Sequence, residues 1–326
     1  MARGGENPDV VGSDRGGWAR THAWVEKGLP EGDRIDAVER LRGGWTSEMR
    51  RLRVTGPGGS RWLVLRSFVK PFFVMHAEGL LTREADILSL LGDTQVPTAV
   101  VHSVDAKATN CDHPSLLMSL LPGSVRLDGR SATQRAELLA RQLVRIHQVS
   151  VPPEQRPRNY QAWTAADRVR MPEVTGRPEL WQRAVEIIRQ EPPAFRPCFL
   201  HRDFHPGNVL FAGHGNELRI TGVVDWVETS WGPADLDVAH CSTALALLHG
   251  PSMGMRFADC YLAEGGVLAE DPAAHLYWRM LDALAFAPDA EKVAVPWREL
   301  GRDDLTPDLL TSRLEEYLQR LCDRYG

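Results

Sequence analysis

Two short segments of the chain carry residues whose types and spacing suit phosphoryl transfer. The first, residues 201–208, reads His-Arg-Asp-Phe-His-Pro-Gly-Asn, and the second, residues 222–226, is an apolar run that contains Asp225. Phosphoryl transfer needs an oriented hydroxyl and a divalent metal that bridges the phosphates. Asp203 fits the residue that accepts the hydroxyl proton. Asn208 stands at the spacing of the metal-binding Asn in an H-R-D-x-x-x-x-N catalytic loop.

A second carboxylate is expected to complete a metal site. Asp225 follows β-branched residues in the segment 220–224, so we expect its side chain to emerge where a strand ends. The metal-binding Asp of the kinase D-F-G element occupies such a position. Mg²⁺ prefers sparse oxygen ligation completed by phosphate and water. We therefore predict that Asn208 and Asp225 hold Mg²⁺.

The alternative for these residues is a purely structural role. Asp and Asn beside Pro-Gly commonly form turns by capping their own backbone, and a lone His-x-Asp has little meaning. The combination of His201, Asp203, Asn208 and Asp225 is far more specific than any one of them. We therefore favour the catalytic interpretation.

At these positions the chain resembles the aminoglycoside phosphotransferase and choline kinase-like family. That family carries a loop of the form H-x-D-x-H-P-x-N and a metal strand of the form V-x-D-W, and both are matched here. The resemblance implies an α+β, two-lobed, protein-kinase-like fold with a small antiparallel-sheet lobe and a larger, mainly helical lobe. We expect residues 1–121 to form the N-terminal nucleotide-binding lobe, with 1–17 as a flexible tail. Residues 122–326 would form the C-terminal catalytic and acceptor-binding lobe.

The resemblance also suggests nucleotide contacts upstream. Gly43 and Gly44 lie where the family has its nucleotide-covering loop, although an ordinary hairpin turn is the alternative. A protein-kinase loop would read G-x-G-x-x-G, so the match is reduced. Backbone groups of the lobe-joining segment, represented by Ser119 and Leu121, are expected to bind adenine.

A cation and a carboxylate complete the nucleotide side of the resemblance. Arg66 lies on the strand that normally carries the phosphate-binding Lys, and Glu84 lies on the helix whose Glu pairs with that cation. Arginine can clamp phosphate through its planar fork of donors, but it is not the compact charge that Lys offers. The alternative is a solvated ion pair of little energetic consequence.

Several further residues receive roles. His201 is expected to brace the catalytic loop, and His205 and Glu228 to touch the acceptor or metal-bound water. In the resembling family the Asp of a D-L-A-like run supports the loop from behind, which assigns Asp237 a scaffold role. His147 ends a predicted helix and is interpreted as a cap on exposed carbonyls.

Composition places the chain among ordinary globular enzymes. It has 326 residues, 43% hydrophobic and 25% charged, enough for one large or two modest cores. No signal peptide or bilayer-length apolar segment is evident, which predicts a cytoplasmic protein without a membrane partner. Five widely spaced cysteines indicate neither a disulfide framework nor a zinc site.

The charge distribution bears on partners. A net charge of −5 argues against nucleic acid, because binding phosphate backbones calls for clustered Lys and Arg. Residues 241–326 contain 8 Lys or Arg against 14 Asp or Glu. Carboxylates there would favour a cationic small-molecule acceptor, whereas the alternative is a solvated helical face. The sequence leaves the oligomeric state open.

Periodicity and breakers predict the elements that must position these residues. Strands are expected over 38–54, 60–68, 96–104 and 115–121, with a hairpin turn at 56–59. Helices are expected over 18–27, 80–91, 132–149, 179–190, 235–249, 253–264, 274–286 and 307–324.

These observations predict direct transfer of the γ-phosphate of ATP or GTP to a hydroxyl group. An aminoglycoside-like or other hydroxyl-rich antibiotic is the expected acceptor, which would make the protein an antibiotic-resistance enzyme. A metabolic kinase for a small alcohol of the choline, homoserine or sugar type is an alternative. A nucleotide-binding pseudo-enzyme with a regulatory role is another. A protein kinase is disfavoured, because the chain has no D-F-G and A-P-E pair to bracket an activation loop.

Overall fold

The computed structural model describes residues 10–11, 17–41, 47–173 and 175–326. Gly43, Gly44 and most of the predicted N-terminal tail lie outside these residues, so what was expected of them stays a prediction. The chain divides into two compact units. Unit 1 contains the described residues up to Thr94 together with Thr98–Leu121, and unit 2 contains Gln95–Pro97 and Pro122–Gly326.

Unit 1 is built on an antiparallel sheet whose six strands lie in the order β1-β2-β3-β4-β6-β5. The hairpin predicted at 56–59 is present, since Gly56 pairs with Gly59 at the tip of β3 and β4. Leu52, Leu63 and Leu117 pack with helix α1 into a small core. The elements of unit 1 are β1 (Val10–Val11), α1 (Ala19–Gly28), β2 (Arg34–Leu41), β3 (Glu48–Gly56), β4 (Gly59–Ser67), α2 (Pro71–Leu91), β5 (Val101–Asp105) and β6 (Ser115–Ser119).

Helix α2 begins nine residues before the predicted start at residue 80. Pro71 occupies its first turn, where a missing N–H costs nothing and the fixed φ suits a helix. The early turns expose Phe72 and Met75, so they lack the apolar periodicity on which the prediction relied. The inner face of the helix buries Leu81, Glu84 and Leu88, which brings a carboxylate into the interior of unit 1.

Unit 2 is mainly helical and is organised around helix α5, which spans Ala234–His249. All residues of this helix except its last are buried, as expected for a helix surrounded by protein. It therefore carries polar side chains such as Asp237 and His240 into the interior. The helices of unit 2 are α3 (Ala132–His147), α4 (Pro178–Arg189), α5 (Ala234–His249), α6 (Pro251–Ala263), α7 (Pro272–Leu284), α8 (Glu291–Glu299) and α9 (Pro307–Tyr325).

Short strands hold the two chemically interesting segments of unit 2. The loop 201–208 lies between β8 and β9, and the segment 224–229 lies between β10 and β11. Because β9 pairs with β10 and β8 with β11, both ends of each segment are fixed by backbone hydrogen bonds. The strands are β7 (Ser124–Val125), β8 (Pro197–Leu200), β9 (Val209–Ala212), β10 (Arg219–Val223) and β11 (Ser230–Pro233).

The expected α+β class is confirmed, and the differences are local. Helix α8 was not predicted, because Pro296 lies inside it and interrupts the helical pattern. Strand β5 starts at Val101, five residues after the predicted start, since Pro97 cannot donate to a ladder. Among the described residues, no helix is both long and apolar enough to cross a bilayer.

Candidate active site

The loop 201–208 is anchored from behind by Asp237. The backbone N–H groups of His201 and Arg202 donate to the two carboxylate oxygens of Asp237 at 2.8 and 2.9 Å. Arg202 has φ 72°, a left-handed conformation uncommon for a residue with a side chain, and its bond to Asp237 helps to hold it there. The contacts are those that the scaffold role of Asp237 requires.

His201 braces the loop in a defined tautomer. Its Nδ1 accepts from the backbone N–H of Asp203 at 3.2 Å, so Nε2 carries the proton and donates to the carbonyl of Val224 at 3.0 Å. Burial lowers the pKa of His201 and so keeps the ring neutral. The imidazole thereby joins the loop 201–208 to the segment that carries Asp225.

Asp225 is held close to the loop through its neighbour in the chain. Val224 receives the His201 bond at its carbonyl and donates its own N–H to the carbonyl of Asn208 at 3.0 Å. Strand β10 ends at Val223, so Asp225 lies two residues beyond it rather than at its last position. Asp225 has φ 64°, a conformation that Asp tolerates better than most residues.

Asp203 is hydrogen-bonded on both carboxylate oxygens. The Asn208 amide donates to Oδ2 at 2.9 Å and also to the Asp203 carbonyl, while His240 Nε2 lies 3.1 Å from Oδ1. The Asp203 side chain is 29% exposed, so it is reachable from solvent. Burial would raise the pKa of Asp203, but the His240 hydrogen bond and the nearby imidazoles lower it overall. The carboxylate is therefore ionised at neutral pH.

His205 folds back on its own turn. Its Nδ1 accepts from the backbone N–H of Gly207 at 3.0 Å, and its Nε2 lies 3.8 Å from Asp203 Oδ1. A Cβ at Gly207 would lie 2.6 Å from the His205 ring, so this close approach requires glycine. Burial lowers the pKa of His205 to about 4, which keeps the ring neutral. The predicted proximity of His205 to the site is therefore present.

Three residues of this network were missed in the sequence. His240 Nδ1 lies 3.0 Å from Asp282 Oδ1, and Thr243 donates its hydroxyl to Asp282 Oδ2 at 2.7 Å. His240 and Thr243 follow Asp237 at three-residue steps along α5, which places all three near one face of the helix. That spacing is the one indication that the sequence offered.

His147 was interpreted as a helix cap, and this is wrong. Its ring lies between two side chains, with Nδ1 2.7 Å from the Tyr261 hydroxyl and Nε2 3.2 Å from Asp237 Oδ2. The buried carboxylate of Asp237 attracts the ring more effectively than exposed carbonyls do, because water does not screen the interaction. His147 therefore supports the loop indirectly, through Asp237.

Glu228 forms an ion pair with Arg158. Arg158 donates to its carboxylate at 2.7 Å, and both side chains are about one-third exposed. The expected contact of Glu228 with acceptor or metal-bound water stays a prediction. It would require the carboxylate to share or leave this ion pair.

Arg66 and Glu84 form a buried pair within unit 1. Arg66 Nη1 donates to both Glu84 carboxylate oxygens at 2.8 and 3.0 Å, and the two side chains are 5% and 3% exposed. The predicted pairing is present, and the alternative of a solvated pair is wrong. Burial matters because a charge left without its partner in the interior is strongly unfavourable.

Backbone hydrogen bonds at the end of β6 limit which groups of this segment could contact adenine. The N–H of Ser119 donates to the carbonyl of Val100 at 2.9 Å, and the Ser119 hydroxyl accepts from the Val100 N–H. The N–H of Leu120 donates to the carbonyl of Trp62. The Ser119 N–H is already bonded to Val100, so a contact of Ser119 with adenine would have to come from its carbonyl. The adenine contacts of Ser119 and Leu121 stay predictions.

The carboxylates of the acidic C-terminal segment are largely engaged with neighbouring side chains. Asp282 is buried beside His240. Four others, Asp259, Glu291, Asp304 and Glu316, form ion pairs with arginines. These four arginines also lie within residues 241–326 and are already included in its 8 Lys or Arg, so the excess of negative charge stands and the cationic acceptor stays a prediction.

Comparisons with known proteins identify the family and the fold of the chain. A model of the Phosphotransferase enzyme family matches residues 37–285. A Ralstonia eutropha protein provisionally named an aminoglycoside phosphotransferase is 18% identical, with 94% of this chain and 98% of that one covered and a TM-score of 0.62. Macrolide 2'-phosphotransferase from Brachybacterium faecium is 17% identical, with coverages of 90% and 97% and a TM-score of 0.54.

A third solved structure contains ligands. The GDP and kanamycin complex of APH(2")-IIIa is 16% identical, with coverages of 94% and 99% and a TM-score of 0.57. No curated protein sequence gave a significant match. At these identities the solved structures show the fold alone, which is the α+β, protein-kinase-like fold. The family model covers well over half of the chain, and the chain therefore belongs to the phosphotransferase enzyme family.

Proposed function

We propose that this protein transfers the γ-phosphate of ATP or GTP to a hydroxyl group of a small molecule. The observation that carries the proposal is the arrangement of Asp203, which is ionised, partly exposed and held on both oxygens beside Asn208. A carboxylate fixed in this way can orient a hydroxyl for in-line attack. The GDP and kanamycin complex of a fold relative supports a nucleotide donor and a small-molecule acceptor.

Asp203 is the proposed catalytic residue. Its carboxylate would accept a hydrogen bond from the acceptor hydroxyl and take the proton as the new O–P bond forms. The bond between the γ-phosphorus and the bridging oxygen breaks, and the nucleoside diphosphate leaves. Because its pKa is lowered, Asp203 is a weak base, which suits a proton transfer that occurs late in the reaction.

Asn208 and Asp225 fit an Mg²⁺ ion. Both offer hard oxygen ligands, and the Asn208 amide nitrogen is committed to Asp203, which leaves the amide oxygen as its metal-ligating atom. When bound, Mg²⁺ would neutralise charge on the phosphates. The bonds of Val224 to His201 and Asn208 hold the Asp225 backbone near this ligand.

Arg66 is proposed to bind the non-transferred phosphates. Its pairing with buried Glu84 fixes the guanidinium, so less side-chain entropy is lost when phosphate binds. Gly43, Gly44 and the backbone of Ser119 and Leu121 remain the proposed nucleotide contacts. His205 and Glu228 remain candidates for acceptor contact.

The proposed acceptor is a hydroxyl-rich antibiotic, with aminoglycosides and macrolides tested first, because fold relatives named for both groups exist. On this proposal the protein confers antibiotic resistance. A metabolic kinase for a small alcohol is the second candidate.

The test is acceptor-dependent nucleotide turnover with Mg²⁺ across aminoglycosides, macrolides, nucleosides and small amino alcohols. The phosphorylated product is identified by mass spectrometry. Asp203→Asn should lower kcat by roughly 10²–10⁴-fold while nucleotide affinity is retained. Asp259→Asn is the matched control, because that carboxylate is exposed and pairs with Arg324, and it should behave as the wild type. Nucleotide binding with no phosphorylated acceptor would indicate a pseudo-enzyme.

A further inference from the structure

His240 links Asp203 to a second carboxylate that lies deeper in unit 2. Its ring nitrogens lie 3.1 Å from Asp203 Oδ1 and 3.0 Å from Asp282 Oδ1. The far oxygen of Asp282 accepts from the Thr243 hydroxyl at 2.7 Å. The four side chains therefore form one continuous hydrogen-bonded series, from Thr243 through Asp282 and His240 to Asp203.

The His240 ring is fixed by aromatic neighbours as well. The edge of Trp163 meets it at a centroid distance of 4.9 Å, and Phe286 stacks on it at 5.5 Å. The His240 and Asp282 side chains are 4% and 1% exposed, whereas that of Asp203 is 29% exposed. The buried pair of His240 and Asp282 is thus hydrogen-bonded to Asp203, the one carboxylate of the series that a substrate could reach.

The hydrogen-bonding pattern defines the charge of His240. Two ionised carboxylates accept and cannot donate, so an imidazole bonded to both must carry a proton on each nitrogen. Burial disfavours the charged ring, but Asp282 and Asp203 outweigh it and raise the pKa of His240 to about 9. His240 is thus a cation at neutral pH, and its hydrogen bond to Asp203 is charge-assisted.

We propose that His240, oriented by Asp282 and Thr243, is a positioning residue that fixes the Asp203 carboxylate to accept the hydrogen bond and then the proton of the acceptor hydroxyl, while the hydroxyl oxygen attacks the γ-phosphorus. This inference rests on the proposed phosphotransferase function. Asn208 holds the other oxygen, so the carboxylate plane is set from two sides, and each oxygen keeps a lone pair for the hydroxyl. Above the pKa of His240, a neutral ring has one N–H for two carboxylates and its bond to Asp203 is no longer charge-assisted, so the restraint on Asp203 weakens.

A metal ion bound by Asp203, His205 and His240 is the competing interpretation, since ligand atoms of these residues lie within 4.8 Å of one another. The tautomer of His205 opposes it. The Gly207 N–H donates to His205 Nδ1, so in the neutral ring the proton is on Nε2, the nitrogen that faces Asp203. His240 also uses both its nitrogens on carboxylates.

Other charged groups surround the series and bear on its pH dependence. His205 lies 5.7 Å from the His240 ring and is neutral, because burial lowers its pKa. Lys292 on α8 interacts electrostatically with both Asp203 and Asp282. The guanidinium of Arg202 lies over the ring of Trp163, which contacts His240, at 4.2 Å from the ring centroid. The two carboxylates are the groups that raise the pKa of His240 against the effect of burial.

The first test does not depend on turnover. The pKa of His240 is measured by NMR titration of the full chain, with the resonance assigned by its loss in His240→Gln. We expect a pKa well above the ordinary histidine value of about 6.5. Asp282→Asn should lower it by at least about one unit, a tenfold change in proton affinity, because the amide oxygen can still accept from His240 while the amide N–H donates to the Thr243 hydroxyl, and the charge is lost. An ordinary pKa in the wild-type protein would overturn the proposal.

The second test is the pH profile of kcat with an accepted substrate. The wild type should lose activity as His240 deprotonates at alkaline pH, and Asp282→Asn should shift that loss to lower pH. His240→Gln should lower kcat roughly 10–100-fold, with KM for the nucleotide unchanged. In this background Asp282→Asn should no longer shift the pH profile. His275→Gln is the matched control, since His275 lies 3.6 Å from Asp235 without touching the series, and it should retain the wild-type profile.

The outcomes separate the inference from the proposed function. A shifted His240 pKa without phosphorylated product in any assay would leave the series intact and contradict the phosphotransferase proposal. Turnover whose pH profile is identical in the wild type and Asp282→Asn would keep the phosphotransferase and contradict the positioning role. If Asp282→Asn fails to fold, the His240 pKa of the wild-type protein still decides, because an ordinary value would contradict the series.

Discussion

Asp237 accepts the backbone N–H of His201 at 2.8 Å, although 36 positions separate the two residues. The same carboxylate accepts from Arg202 and lies 3.2 Å from His147 Nε2. A fully buried carboxylate with three such partners is stabilised by hydrogen bonds that replace its lost hydration. This bond fixes the start of the loop 201–208, which carries Asp203 and ends at Asn208.

Removal of Asp237 should therefore destabilise unit 2. Asp237→Ala leaves two backbone N–H groups and His147 without their acceptor, which should lower the free energy of unfolding by about 3–5 kcal/mol. Asp259→Ala, which removes an exposed partner of Arg324, should cost at most about 1 kcal/mol. Urea titration of both variants checks this. Equal effects would mean that Asp237 is not the anchor of the loop.

Gly207 should tolerate no side chain. A Cβ there would lie 2.6 Å from His205 Cε1, so Gly207→Ala should push the ring away from its backbone bond and cost about 1–3 kcal/mol. Turnover should fall roughly tenfold, because the turn also positions Asn208. At Gly129 a Cβ meets nothing within 4 Å, so Gly129→Ala should leave both quantities unchanged. Unchanged turnover in Gly207→Ala would show that His205 does not help to shape the site.

The Arg66–Glu84 pair should matter for stability and for nucleotide binding. Glu84→Ala takes the carboxylate from a buried guanidinium, and we expect a loss of about 3–5 kcal/mol together with weaker nucleotide binding. Glu78 lies on the same helix, in an exposed pair with Lys107, and Glu78→Ala should change neither quantity. Thermal unfolding and nucleotide titration provide the measurements. Nucleotide affinity that survives in a folded Glu84→Ala protein would contradict the phosphate-binding role of Arg66.

His240 should make stability depend on pH. Its pKa is raised from 6.5 to about 9, so the stabilisation is complete below pH 6.5 and is lost as the pH rises through 9. The difference in unfolding free energy between the wild type and His240→Gln should therefore decrease by about 3 kcal/mol over that range.

His249 provides a control, because its contribution to the free energy of unfolding should depend on pH in the opposite direction. Burial lowers its pKa to about 4, so its contribution is complete above pH 6.5 and is lost as the pH falls towards 4. Urea titrations of His249→Gln across pH 4 to 9.5 should show this reversed dependence. If His240→Gln followed the His249→Gln pattern, the ring would be neutral in the folded protein.

The site could be predicted where its residues are close in the chain. Asp203 and Asn208 lie five positions apart, and the contact between them follows from one tight turn. The pairing of Arg66 with Glu84 was predicted only from a resemblance, and the structure adds the burial that makes it consequential. Backbone groups of Ser119 were expected to bind adenine, and the sequence did not reveal that the Ser119 N–H is already bonded to the carbonyl of Val100.

The sequence by itself indicated the candidate reacting groups and predicted the α+β class and most of the helices, because short-range spacing and hydrophobic periodicity are local properties. Only the tertiary structure decided that His240 joins Asp203 to Asp282, residues that lie 37 and 42 positions from it in the chain. The chain has 11 histidines, and no local pattern says which carboxylate each will meet. The packing of α5 against α7 and the loop makes that choice, since a hydrogen bond forms only when two atoms are brought within about 3 Å.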